Sequence, residues 1–174
     1  MKSETESDYV DFVTHHANGM FRTSYLLCGD RRRAEDATQE ALLRLYRIWP
    51  KLQRKDSIVA YARKVVVSTT LDGLRRRSST ELVGGDTYFT AEADPTDHVS
   101  RLERRLIITE ALAGLPERQR ACVVLRYFDE LSVDETAEVL GCRPGTVKSQ
   151  TLRALEKLRL HPALADLDLA GLGG

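Results

Sequence analysis

Cysteine is scarce in this chain: Cys28, Cys122 and Cys142 are the only three among 174 residues. They are odd in number, widely spaced and without a CxxC pairing, so neither a disulfide framework nor a zinc site is expected, and each reads as a small buried apolar residue. Histidine is nearly as sparse, and His15 and His16 are adjacent, hence on different helical faces and not the i, i+4 pair that a helical metal site needs. No metal and no cofactor are expected. There is no apolar run long enough to cross a bilayer and no leader with a basic start and apolar centre, which points to a cytoplasmic protein without membrane insertion. Aromatic residues make up only 6%, which favours helix over sheet. Catalytic signatures are missing too. Without a glycine-rich phosphate loop, an HExxH or a GxSxG, no catalytic residue is assigned and no small-molecule substrate is expected.

What the chain does have is charge, 30% of its residues, balanced to a formal net of zero and strongly segregated. Residues 31–77 sum to +8, while 1–30 and 78–116 sum to −3 and −4. A second segregation marks Ser132–Arg159, which reads as two short helices joined by a tight turn. Between Asp129 and Glu138 lie five acids and no base, whereas Arg143–Arg159 carries five bases against the single acid Glu156. Ser132 and Glu135 have the spacing of a capping box, Ala137 is small enough for a second helix to cross closely, Gly141 suits a left-handed stop, and Pro144 suits a first helical turn. This pattern is a helix-turn-helix. On a helical wheel its second helix turns Val147, Thr151, Leu155 and Leu158 to one side and Thr146, Ser149, Gln150, Arg153 and Lys157 to the other. A helix in the major groove reads base edges from its first half, so Lys148, Ser149, Gln150 and Arg153 are the first candidates. A helical hairpin with solvated charges would explain this segment alone.

Further helices follow from apolar spacing of three to four. One runs from about Tyr9 to Leu27 and is closed by Gly29 and Asp30. The next, Ala34 to Trp49, is stopped by Pro50, with Glu35, Asp36, Gln39, Glu40, Leu43, Arg44 and Arg47 off its apolar stripe. A third runs from Ser57 to Arg77 through the β-branched run at Val65–Thr70, with Ile58, Tyr61, Ala62, Val65, Thr69 and Asp72 keeping the helical spacing. Ser78–Asp97, polar and small, reads as a linker. Val99–Leu115 and Pro116–Phe128 supply two more helices. The expected fold is all-α: two small helical domains joined by a flexible linker, at residues 1–77, 78–98 and 99–161, with the helix-turn-helix in the second and a tail at 162–174. The bases at Arg63, Lys64 and Arg75–Arg77 suggest a separate nucleic-acid surface, beside which Tyr61 can stack on bases. Trp49, at the end of an apolar stripe, reads as core.

The order of parts, GDRRRAEDATQEALLRLYRIW, then AYARKVVVSTTLDGLRRR, a linker, then LPERQRACVVLRYFDELSVDETAEVLGCRPGTVKSQTLRALEKL, resembles the extracytoplasmic-function (ECF) sigma factors over about Tyr9–Leu160. Two independent motif sets in the right order make the likeness far more specific than either would, and it leaves an actinobacterial SigE-like subgroup open. The resemblance implies a specificity subunit of RNA polymerase, with core polymerase and promoter DNA as partners and an anti-sigma factor as a further one. It implies core-polymerase contact through Asp36, Gln39, Glu40, Leu43 and Arg47, against a basic coiled coil. It also implies a base-capturing loop at Pro50–Ser57, and minus-ten recognition and melting through Tyr61, Arg63, Lys64, Ser68, Asp72, Arg75 and Arg76. Minus-thirty-five recognition falls to Arg143, Thr146, Lys148, Ser149, Gln150, Leu152, Arg153 and Lys157, with Leu152 placed to touch thymine methyls.

Three positions depart from the family pattern. Ser68 stands where an asparagine is usual, Tyr61 where a tryptophan is common, and Gln150 where an arginine is common, which removes one phosphate charge. The competing reading is a free-standing helix-turn-helix regulator, which accounts for residues 116–160 but leaves the acidic helix face and the +8 block without a role.

Overall fold

The computed structural model describes residues 2–52, 55–78 and 98–164. Its contacts divide the chain into two compact units, one built on the helices before residue 79 and the other on those after residue 97. The expected linker at Ser78–Asp97 falls almost wholly outside the described residues, as does the tail from residue 165. Every regular element among the described residues is helical.

α1 spans Lys2–Cys28, starting well before the apolar periodicity does at Tyr9. Glu4 lies in its first turn, where a carboxylate stabilises a helix. Gly29, at φ 69°, ends it. α2 spans Arg31–Ile48 and passes through a 3₁₀ turn at Trp49–Lys51, where Pro50 suits the start of a turn but could not continue α2. α3 spans Lys55–Ser78, so the loop expected at Pro50–Ser57 is shorter than foreseen, with residues 53 and 54 outside the described set.

The β-branched run Val65–Thr70 lies wholly within α3. Burial outweighs its strand bias: Ile58, Ala62, Val66, Val67, Thr69, Thr70 and Leu71 are all buried. Thr70 is satisfied locally, since its Oγ1 donates to the Val66 carbonyl at 2.7 Å and also meets Ser24 Oγ of α1 at 2.7 Å. Of the residues that keep the helical spacing, Ile58, Ala62 and Thr69 are buried, Val65 and Asp72 are half-buried and Tyr61 is exposed. A helix apolar on most of its circumference gives no unambiguous stripe to read.

Leu27 of α1 and Ala34, Ala41 and Leu45 of α2 are fully buried in the same core. At its end the Trp49 ring meets Tyr9 and Phe12 with centroids 5.2 and 5.1 Å apart, and Tyr9 Oη donates to the Leu42 carbonyl at 2.8 Å. Burial raises the Tyr9 phenol above its usual pKa, with the neighbouring Tyr46 adding to the shift.

In the second unit α4 spans His98–Ala113, ending before Leu115. Its closing carbonyls are taken by Arg120, whose Nε donates to Leu112 at 2.9 Å and whose Nη2 donates to Leu115 at 2.9 Å and Ala113 at 3.3 Å. The single helix expected at Pro116–Phe128 is in fact α5, Glu117–Val123, running into a π turn at Val124–Phe128. The Asp129 amide donates to the Val124 carbonyl at 3.1 Å, and Glu130, at φ 56°, reverses the chain toward α6. α6 spans Val133–Leu140 and α7 spans Pro144–Arg159. The chain then turns through Pro162–Leu164, and Leu164 is only 4% exposed, lining an apolar cavity with Ile108, Leu112 and Leu158. The tail is therefore docked at its beginning.

Candidate nucleic-acid interface

The helix-turn-helix is held by the devices its sequence spells out. Ser132 Oγ accepts from the Glu135 amide at 3.0 Å while Glu135 Oε2 accepts from the Ser132 amide at 2.7 Å, which satisfies two N-terminal donors of α6 at once. Gly141 ends α6 at φ 63° and ψ 39°, a left-handed conformation that a Cβ would strain. Pro144 opens α7 after Arg143. The corner closes over Cys122, Ala137 and Val147, with Val133, Leu140 and Cys142 packed around them.

This packing fixes which side of α7 is free. Val147, Thr151, Ala154 and Leu158 are buried and Leu155 is half-buried; Ala154 joins the packing face although the wheel reading passed over it. Arg143, Lys148, Ser149, Arg153 and Lys157 are exposed, as is Leu152 at 58%, whereas Thr146 and Gln150 are half-buried. Ser149 Oγ donates to the Thr146 carbonyl at 3.1 Å, so its proton is held by its own helix. Four bases and one leucine thus line the solvent side of a helix whose other side is anchored. Such a surface suits phosphates and base edges together.

Cys122 and Cys142 both belong to this corner, yet only Cys122 is fully buried; Cys142 and Cys28 are half-buried, against the expectation for all three. Burial, helped by the neighbouring Cys142 thiol, pushes the Cys122 thiol up to about 11. The folded thiol stays neutral where the unfolded one ionises, so this group withdraws stability as pH rises from its unfolded value toward 11 and is neutral to folding below that window. In native protein at pH 8, iodoacetamide should therefore label Cys142 well before Cys122, with denaturant abolishing the difference; mass-resolved peptide mapping checks this.

In the first unit, Tyr61, Lys64, Ser68, Asp72 and Arg75 follow one another along α3 at three and four residues, which sets them on one stripe away from the buried face. Tyr61 is 41% exposed. Arg76 borders this stripe, while Arg63 falls about half a turn round the helix and is half-buried. Asp72 and Arg75 approach to 3.8 Å, a loose exposed pair worth little to stability. Ser68 Oγ donates to the Val65 carbonyl at 3.1 Å, so the residue in the usual asparagine position has committed its one proton to the helix.

On α2, Asp36, Gln39, Glu40, Leu43 and Arg47 are all exposed, Leu43 by 59%. Glu40 pairs with Arg44 one turn on. Sequence reasoning missed Tyr46: half exposed, three residues beyond Leu43, its ring stands edge-on to Tyr9 at 5.0 Å. The i+3 spacing from an exposed leucine was the available signal. Among the described residues no three His, Cys, Asp or Glu side chains gather into a metal site, and no helix is long and apolar enough to cross a membrane.

Residues 12–80 match the model of sigma-70 region 2, and residues 105–158 match that of sigma-70 region 4. The RNA polymerase sigma-E factor of Streptomyces coelicolor is 32% identical over 165 residues, covering 95% of this chain and 92% of that protein. The chain belongs to the ECF sigma factors. The ECF RNA polymerase sigma factor SigW of Bacillus subtilis is 28% identical to this sigma factor over 170 residues, with 91% of each chain covered. Its fold agrees with that of the sigma factor RpoE of Bartonella quintana, solved in complex with the anti-sigma factor NepR, at a TM-score of 0.71 and 19% identity, over 92% of this chain and 98% of that one. It is a sigma factor directing promoter-specific transcription, and its family is not an enzyme class.

Proposed function

We propose that this sigma factor docks on core RNA polymerase through the exposed face of α2 and reads promoter DNA twice, through α3 and through α7. The observation that carries this reading is the stripe Tyr61–Lys64–Ser68–Asp72–Arg75, an aromatic, two bases, a serine and one acid aligned on α3 away from the buried face of Ile58, Ala62, Val66, Thr69 and Thr70. A strand opened at the minus-ten element needs stacking and phosphate neutralisation together, and that stripe offers both. Arg63 faces elsewhere and is assigned a supporting role, whereas Arg76 borders the stripe and extends its charge.

The upstream element falls to α7. Lys148, Ser149, Gln150 and Arg153 face the groove, Leu152 meets thymine methyls, and Arg143, Thr146 and Lys157 reach flanking phosphates. Half-buried Gln150 carries no charge, so it tunes which bases are preferred and adds nothing to general phosphate affinity. The polymerase-binding set is Asp36, Gln39, Glu40, Leu43 and Arg47, an acidic face interrupted by one leucine, which suits a basic, partly apolar partner helix. Under this reading residues 1–77 and 99–161 are the two functional domains, 78–98 the tether between them and 162–174 a tail. The sigma factor works in the cytoplasm without a cofactor, a metal or a small-molecule substrate. Bond formation belongs to the polymerase, and an anti-sigma factor is a further partner.

Arg153→Ala tests the upstream contact. It should cost about 1 to 3 kcal/mol of discrimination at the base it reads and relax promoter preference there, leaving core binding intact. Transcription from templates varied through the minus-thirty-five element measures it, and unchanged preference would remove Arg153 from the interface. If the chain fails to copurify with core polymerase yet shifts duplex DNA alone, the free-standing regulator takes the place of this reading.

A further inference from the structure

The cavity behind Leu164 lies where α4, the π turn and α7 meet, and its wall includes Ile108, Tyr127, Phe128 and Leu155. Those four side chains are each only half-buried, so the second unit keeps an apolar opening of about 40 Å³ between them. Apolar walls give water no partner, so only apolar groups fill such an opening well. The turn at Pro162–Leu164 packs against α4 and delivers the chain there. Ten residues follow outside the described set, ADLDLAGLGG, in which Asp166 and Asp168 alternate with Leu167 and Leu169. On α4, Arg104 and Arg105 stand one turn before Ile108 and two turns before Ala111 and Leu112, which places them on the side that lines the cavity. Both are exposed, and neither meets a carboxylate among the described residues.

We infer that residues 165–172 are a strap that closes this opening, with Leu167 and Leu169 laid over the cavity and Asp166 and Asp168 paired with Arg104 and Arg105. In an extended course alternate side chains point to opposite sides, so this sequence has one apolar side and one acidic side. The reach is sufficient. An extended residue spans about 3.3 Å, which carries Asp166 roughly 7 Å past Leu164, against about 5.4 Å for the turn of α4 between Ile108 and the arginines. Arginine stems lie along apolar surface while their heads reach charge above it, so one side of α4 serves both kinds of residue. The partner of this surface is the chain itself. Because Leu155 and Leu158 of α7 line the cavity, the strap steadies α7 from its C-terminal half, whatever Lys148, Ser149 and Gln150 contact in the other.

The test is hydrogen–deuterium exchange of the full chain, resolved by peptide and compared with Leu167→Ser/Leu169→Ser and with Asp166→Lys/Asp168→Lys. The serine variant should exchange roughly tenfold faster through α4 and α7, since burial of a leucine opposes opening by at least that factor, while α2 and α3 exchange as before. The lysine variant should quicken the same two helices about threefold. Adding Arg104→Glu/Arg105→Glu to it should restore their protection, which the loss of a surface charge alone would not do. Unchanged exchange of α4 and α7 in the serine variant overturns the inference. So does protection that rises with protein concentration, because a second copy would then fill the cavity, and so does a charge exchange that fails to restore what the lysine variant loses.

Discussion

Asp36→Lys/Glu40→Lys is expected to lower affinity for core polymerase roughly a hundredfold, about 3 kcal/mol, while leaving the fold intact. Both carboxylates are exposed on α2, outside its first turn, and neither supports the core. Reversing them replaces attraction to a basic partner by like-charge repulsion, which costs several kcal/mol across an interface. The Glu40–Arg44 pair on the helix surface is worth only a few tenths of a kcal/mol, so its loss shifts thermal unfolding little. Fluorescence anisotropy of labelled sigma factor titrated with core polymerase reads the affinity. Wild-type affinity in the double variant would move the polymerase contact off this face of α2.

Trp49→Ala should have the largest effect on stability, about 3 to 5 kcal/mol, close to the whole margin of a small helical unit. Its ring is 8% exposed and wedged between Tyr9 and Phe12, so truncation leaves a cavity that two rigid aromatics cannot collapse to fill. Tyr61→Ala should behave in the opposite way. It removes an exposed ring from the α3 stripe, changes the urea midpoint little, and reduces promoter opening. Chemical denaturation of both variants, with permanganate footprinting of the promoter for Tyr61→Ala, separates a core aromatic from a base-contacting one. Equal destabilisation by the two would contradict the division drawn between them.

That division also shows why the sequence was readable in some places and opaque in others. α2 and α7 are half-buried helices, so their apolar residues trace one stripe and the remainder is solvent face; Leu43, Arg153 and Lys157 fall outside as periodicity requires. The corner at Ser132–Pro144 was legible because capping, a left-handed glycine and a first-turn proline each demand a particular residue type. α3 was harder. Its apolar residues cover much of its circumference, so the spacing showed a helix without showing which side packs; of the series read, Ile58, Ala62 and Thr69 are buried and Tyr61 is exposed.

Other features had no pattern to betray them. The π turn at Val124–Phe128 inserts a widened turn within a run that reads as one helix, and the Arg120 clamp on the end of α4 depends on a helix-to-helix approach that spacing does not encode. The early start of α1 at Lys2 lies in a polar segment that carries no apolar periodicity to read.

The central claim is that one chain supplies polymerase with two separate promoter contacts. Run-off transcription with core polymerase, on templates carrying both promoter elements, the upstream element alone or the minus-ten element alone, tests it most directly. The account predicts a strong transcript only with both elements, an Arg153→Ala holoenzyme that no longer distinguishes an intact from a scrambled upstream element, and a Lys64→Ala/Arg75→Ala holoenzyme that still binds the promoter but opens it poorly. A transcript that ignores one of the two elements in the wild-type holoenzyme, or none beyond that of core polymerase alone, would contradict it.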